Sequence, residues 1–117
     1  MNKQRRSTLK GVVVALRGLQ ASMEETPTIE NFKLYQSALT MAGTVLQDCL
    51  DEEQEYYDKM PEGIQMGERG ERAANAIDGL ENAISAFDYL CGLGEEEMGE
   101  VSESINSVIY NIEEATN

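Results

Sequence analysis

From Phe32 to Met60 the chain returns to one stripe every three or four residues: Phe32, Tyr35, Leu39, Ala42, Leu46, Cys49, Glu53, Tyr56 and Met60. Only Glu53 in that series carries a charge. A repeat of this period keeps one stripe of an α-helix turned inward, and a strand, whose period is two, cannot satisfy it. Sustained over four heptads, it predicts a helix more than about 40 Å long with a coiled-coil-like seam. Thr26 followed by Pro27 marks its start, with Thr as the cap and Pro where a missing N–H is no loss. Pro61 sets its end, because proline disfavours helical geometry in the residue before it. The predicted range is 28–60.

The same period recurs on either side. Leu9, Val12, Val13, Leu16 and Leu19 predict a first helix over 7–23, capped by Ser7, with its basic residues on the opposite face. Met60-Pro61-Glu62-Gly63 makes a turn, and Ala73, Ile77, Leu80, Ile84, Phe87 and Cys91 predict a third helix over 68–91. The short connection folds it back antiparallel on the second. Glycines at Cys91-Gly92-Leu93-Gly94 stop it. A fourth helix over 95–115 turns Met98, Val101, Ile105, Val108 and Ile112 inward. Its first turn holds Glu95, Glu96 and Glu97, where the helix dipole favours negative charge. The predicted fold is therefore all-α: four helices, three long with heptad-like seams, in one antiparallel hairpin bundle over residues 1–117. Narrow seams on long helices leave apolar edge uncovered in so short a chain, which predicts a homodimer.

Charge restricts the partners. Lys3, Arg5, Arg6, Lys10 and Arg17 put five bases and no acid in the first twenty residues, whereas the remainder holds 22 acids against four bases, a net of −18. Bare nucleic acid and anionic lipid are repelled by such a body, and basic nucleic-acid-handling proteins are attracted. A hydrophobic share of 41% is enough for a folded core, so the acidity does not indicate disorder. No apolar run approaches the about 18 residues of a membrane span. The basic start followed by Val12 to Leu16 has the order of a secretory signal, but Arg17 interrupts it and no convincing cleavage site follows. The expectation is a cytoplasmic protein whose two cysteines form no disulfide framework.

The inventory for catalysis is poor. Without histidine, Ser-His and Cys-His pairs and the Glu-x-x-His sites of dinuclear bundles cannot be assembled. Cys49 and Cys91 fall on apolar seams, where a cysteine behaves as a small hydrophobe. Asp48, Asp51, Glu52, Glu53, Glu55 and Asp58 crowd one stretch, and Glu96, Glu100 and Glu103 share a helix face, yet no Asp-x-Asp-x-Asp-Gly loop shapes a calcium site. These acids read as solvated faces, with no cofactor and no metal expected. Glu53 requires either a wet end of the seam or a base such as Arg69 or Arg72 across the turn. Around that turn, Tyr56, Tyr57, Met60, Met66, Arg69 and Arg72 are residue types enriched at interfaces, and the two arginines near a helix start are suited to an anion.

The run Asp51-Glu52-Glu53-Gln54-Glu55-Tyr56-Tyr57-Asp58-Lys59-Met60-Pro61-Glu62-Gly63-Ile64-Gln65, then Glu68-Arg69-Gly70-Glu71 and Ala76-Ile77-Asp78-Gly79-Leu80-Glu81-Asn82-Ala83-Ile84, together with the basic Arg5-Arg6 start, resembles a family of small acidic helical proteins. Phages and mobile elements of Gram-positive bacteria encode that family. The resemblance implies phage origin, a host bacterial cytoplasm and a helical hairpin, and it carries no catalytic or binding residue. Three functions remain open at this point. The leading one is a non-catalytic, DNA-mimic-like inhibitor of a basic host defence protein such as a nuclease or CRISPR effector. It would bind through Asp48, Asp51, Glu52, Glu55 and Asp58, with Glu95, Glu96, Glu97 and Glu100 as a second patch. The second is an oligomeric sponge for a nucleotide signal held by Tyr56, Tyr57, Arg69 and Arg72. The third is a coiled-coil scaffold.

Overall fold

The structure is a computed structural model describing residues 1–116, and every regular element among them is helical. Four long helices, α1 (Lys3–Glu25), α2 (Ile29–Asp58), α4 (Glu68–Cys91) and α5 (Val101–Thr116), are joined by two short elements that the periodicity did not reveal. One is the single-turn helix α3 (Glu62–Gln65); the other is a 3-10 segment over Glu95–Glu100.

Capping chemistry sets the helix ends, and it moves several of the expected ones. The first helix begins at Lys3 because Asn2 caps it, its Oδ1 accepting from Arg5 N at 2.8 Å, so Ser7 lies inside the helix. The second is capped by Thr28, whose hydroxyl accepts from Asn31 N at 3.2 Å. Pro27 therefore stands outside it, and Thr26 closes α1 instead, its N–H donating to Ser22 O at 2.9 Å. In the fourth helical stretch Glu97 adopts φ −110° and ψ 17°, which breaks the helix. Glu95, Glu96 and Glu97 thus precede α5 and do not form its first turn; the Glu97 carboxylate accepts from Gly94 N at 3.1 Å.

Each long helix packs on two neighbours, α1 on α2, α2 on α4, α4 on α5, and α5 back on α1. Every contact is antiparallel. Arg5 near the start of α1 meets Glu53 near the end of α2, and Gly79 of α4 lies against Ala115 at the end of α5. Gln20 closes the ring, donating to Ser102 O at 2.8 Å and Asn106 Oδ1 at 2.8 Å, beside a Ser102 hydroxyl that donates to Glu24. The result is an up-down-up-down bundle, a rod of 54 × 21 × 19 Å. Leu9, Leu16, Phe32, Leu46, Leu80, Leu90, Ile105, Ile109 and Ile112 are its fully buried centre. Cys91, expected on the α4 seam, is exposed. The seam steps by three from Phe87 to Leu90, and Leu90 and Leu93 fill the core in its place.

Close approach explains Gly43, Gly70 and Gly79, and at Gly79 the neighbour is another helix's backbone. A Cβ on Gly79 would stand 2.8 Å from Ala115 Cβ and 2.9 Å from its Cα, so α4 and α5 touch backbone to backbone there. Gly79→Ala is expected to destabilise by about 1–3 kcal/mol through overpacking. Gly18→Ala, with nothing within 4 Å of the added carbon, should stabilise by about 1 kcal/mol through helix propensity. Chemical denaturation of the two variants separates these signs.

Two buried acids of the core predict an alkaline limb of instability. Burial, with Cys91 adding to it, pushes the Tyr35 hydroxyl well above its ordinary 10.0. Burial and then Glu52 push the Cys49 thiol above 9.0. The unfolded chain ionises at the ordinary values while the native state keeps both protons. Neither group therefore costs stability below pH 9.0, and each removes up to about 1.4 kcal/mol per pH unit above its own ordinary value. Tyr35 Oη has no hydrogen-bond partner among the described residues, so Tyr35→Phe should be neutral or stabilising at pH 7 and should flatten the decline above pH 10. Unfolding midpoints measured across that range check both points.

Candidate acidic interface

The helical period places the acids of α2 on its outer surface. With Phe32, Leu39, Leu46 and Glu53 turned inward, Asp48, Asp51, Glu52, Glu55 and Asp58 fall on the remaining arc, and all five are exposed. They divide between two stripes. Asp51 and Asp58 lie with Gln47 and Gln54, whose side-chain amides donate to them at 3.0 Å each. Asp48, Glu52 and Glu55 lie on the neighbouring stripe, nearer α1. Lys59 bridges Glu55 at 2.6 Å, and this hydrogen bond, reinforced by the lysine's charge, lowers the pKa of the Glu55 carboxyl. The same contact raises the pKa of Lys59. No other ion pair engages these five carboxylates among the described residues.

Beneath them lies a sixth carboxylate of a different kind. Glu53 is wholly buried, and its partner is neither Arg69 nor Arg72: Arg5 Nε donates to its Oε2 at 2.7 Å, and the Met1 amine stands 3.7 Å from Oε1. Arg5 reaches the core because it occupies the same stripe as Leu9, Val12 and Leu16, so the basic residues of α1 are not all on its far face. Its guanidinium also lies over the Tyr56 ring, 5.6 Å from the centroid. The spacing from Arg5 to Leu9, four residues, is the signal that could have identified this partner in the sequence. Lys3, Arg6, Lys10 and Arg17 are exposed.

The two acidic patches do not come together. Since α4 runs antiparallel to α2, the exposed Glu95, Glu96, Glu97 and Glu100, just beyond the end of α4, lie at the opposite end of the rod from Asp58. Nor do the four residues expected to hold a nucleotide converge. Arg72 is bridged to Glu68 at 2.7 Å and lines a cavity of about 130 Å³ with Met1, Arg6, Asn75, Glu114 and Ala115, and neither Arg69 nor a tyrosine is among its walls. Arg69 is exposed, Tyr56 lies under Arg5, and the Tyr57 carbonyl accepts from Gln65 Nε2 at 2.8 Å. Among the described residues, no three His, Cys, Asp or Glu side chains are placed to share a metal ion, and no helix is long and apolar enough to cross a membrane.

Fold and surface together define an antiparallel helical bundle with an exposed acidic cluster over the last third of α2 and a second one beyond the end of α4. No protein-family model matches the chain, and no curated protein or solved structure matches it. The resemblance to small acidic phage proteins rests on the quoted residues alone.

Proposed function

We propose that this chain is a non-catalytic acidic binding protein whose α2 surface occupies the nucleic-acid groove of a basic partner. The kind of partner in view is a host nuclease or CRISPR effector countered by a phage in the bacterial cytoplasm. The observation that carries the reading is the row Asp48, Asp51, Glu52, Glu55 and Asp58, exposed along one rigid helix with one member ion-paired. At 1.5 Å per residue these carboxylates are spaced about 4 Å apart on average along the axis, with Asp51 and Glu52 adjacent, a linear charge density comparable to the 3.4 Å per phosphate of a single DNA strand. A groove lined with Lys and Arg gains most of its affinity from neutralising such a row.

The fixed geometry matters as much as the charge. Because Arg5 holds the buried Glu53 through its Oε2, α2 is fixed against α1 over the stretch that bears the acids, and the row is presented without ordering cost at the moment of binding. Affinity capture from host lysate should recover a basic nucleic-acid-binding protein. Its retention should fall steeply as salt rises from low to moderate concentration, and nucleic acid should compete for it. Recovery of partners that are indifferent to both salt and nucleic acid would sink the proposal.

A further inference from the structure

We propose that the hollow between the end of α4 and the start of α5 binds the guanidinium of an arginine side chain carried by a polypeptide partner. The hollow has a volume of about 360 Å³. Ala86 and Tyr89, one turn apart, form its α4 wall, and Glu100, Glu103, Ser104 and Ser107 form the other. Glu103, Ser104 and Ser107 share one face of α5 because residues three and four apart are neighbours on a helix, and Glu100 leads into that face from the 3-10 segment. Ala86 contributes only a methyl to the wall. The space between the two helices therefore stays open.

Two independent observations call for a cation from outside the subunit. From residue 73 to residue 117 the chain has ten acids and no base, and neither Glu100 nor Glu103 enters an ion pair among the described residues. The helix dipole accounts for a carboxylate in the first turn of α5. It does not account for the walls around it. Ser104 is only 9% exposed and lines the hollow, yet its hydroxyl makes no hydrogen bond among the described residues, although a polar group so far buried normally has a partner. Across from it stands Tyr89, an aromatic ring 61% exposed. A guanidinium answers this set better than an ammonium, because it is planar, stacks on an aromatic face and forks five N–H donors to several acceptors, here two carboxylates and two hydroxyls. Free arginine would also bring a carboxylate, and no base lines the hollow to receive it. In a polypeptide that carboxylate is an amide, so the occupant is a residue and not the amino acid. The hollow shares no residue with the acidic row of α2 and lies at the other end of the 54 Å rod from Asp58.

Titration of the full chain, followed through its backbone amide NMR signals, tests this. Nα-acetyl-arginine methylamide should bind saturably with a dissociation constant of about 1 mM, and the largest shifts should fall at Tyr89, Ser104 and Ser107. Nα-acetyl-lysine methylamide and free arginine should each bind at least about fivefold more weakly. Glu103→Gln should weaken the arginine probe about tenfold and Tyr89→Leu about threefold, whereas Glu95→Gln, the same change of charge outside the hollow, should leave it within about twofold. All three side chains are exposed, so helical circular dichroism should not change. Equal affinity for the lysine probe, equal losses from Glu103→Gln and Glu95→Gln, or shifts as large along the α2 acids would show unspecific attraction to an acidic protein and overturn the proposal. Free arginine binding as tightly as its blocked form would overturn the polypeptide occupant. None of these measurements depends on the lysate partner, so either proposal can fail alone.

Discussion

Arg5→Ala is expected to lower the free energy of unfolding by about 3–5 kcal/mol, the cost of leaving a buried charge without its counterpart. Glu53 has no solvent exposure, and after the substitution only the Met1 amine, 3.7 Å away, would remain to it. Against a typical domain stability of about 5–15 kcal/mol, such a loss should bring the chain close to unfolding at physiological temperature. The second half of the expectation has the opposite sign. Arg5→Met combined with Glu53→Leu removes both charges and fills the same space with apolar atoms, and it should recover the wild-type stability or exceed it. Urea unfolding with an unchanged m-value is the measurement. A single substitution costing under about 1 kcal/mol, the range of exposed pairs, would mean that the Glu53 carboxylate is not charged and dry as the geometry implies.

Asp51, Glu52 and Glu55 changed together to Lys should weaken binding to the proposed basic partner by about 100-fold or more, about 2.8 kcal/mol. The three side chains are exposed, so the bundle itself should remain folded. Net charge alone would also shift with this variant, and the shape of the molecule provides the control. Glu95, Glu96 and Glu97 changed together to Lys alter the total charge equally, yet they lie at the other end of a 54 Å rod. That distance exceeds the Debye length of about 8 Å at physiological salt several times over. The distant triple should therefore change affinity by no more than a few-fold. Equal loss from both triples would show that only overall charge is read, and the α2 row would then have no special role.

The long elements were legible because their period reports directly which stripe is buried. Phe32, Leu39 and Leu46, or Ile105, Val108 and Ile112, leave no alternative to helices packed on one core. The ends were harder. Several Ser, Thr and Asn residues near each boundary compete as caps, and only the path of the chain decides that Asn2 and Thr28 take the role over Ser7 and Thr26. A four-residue helix such as α3 contains barely one turn and has no period to detect. Between Leu90 and Cys91 the three-four alternation permits either residue, and the outcome depends on where Leu93 and the 3-10 segment return the chain.

The acidic row was legible as exposed charge, since a helix with one apolar stripe must show its carboxylates elsewhere. Its relation to the second patch was not, because the sequence order 58 to 95 hides a full length of antiparallel helix. Arg5 was missed for a different reason. A guanidinium four residues before Leu9 sits on the apolar stripe, but charge suggested the outer face, and the need of Glu53 for a partner was assigned to Arg69 or Arg72, the nearer bases across the turn.

Met1 and Ala115 share the wall of one small cavity, so the start of α1 and the end of α5 meet at the same pole of the bundle, next to the α2 carboxylates. A bulky label placed near either residue would crowd that pole and blunt whatever the acids contact. Gly92, exposed at the far pole and outside any α-helix, is the place for a handle that leaves them clear.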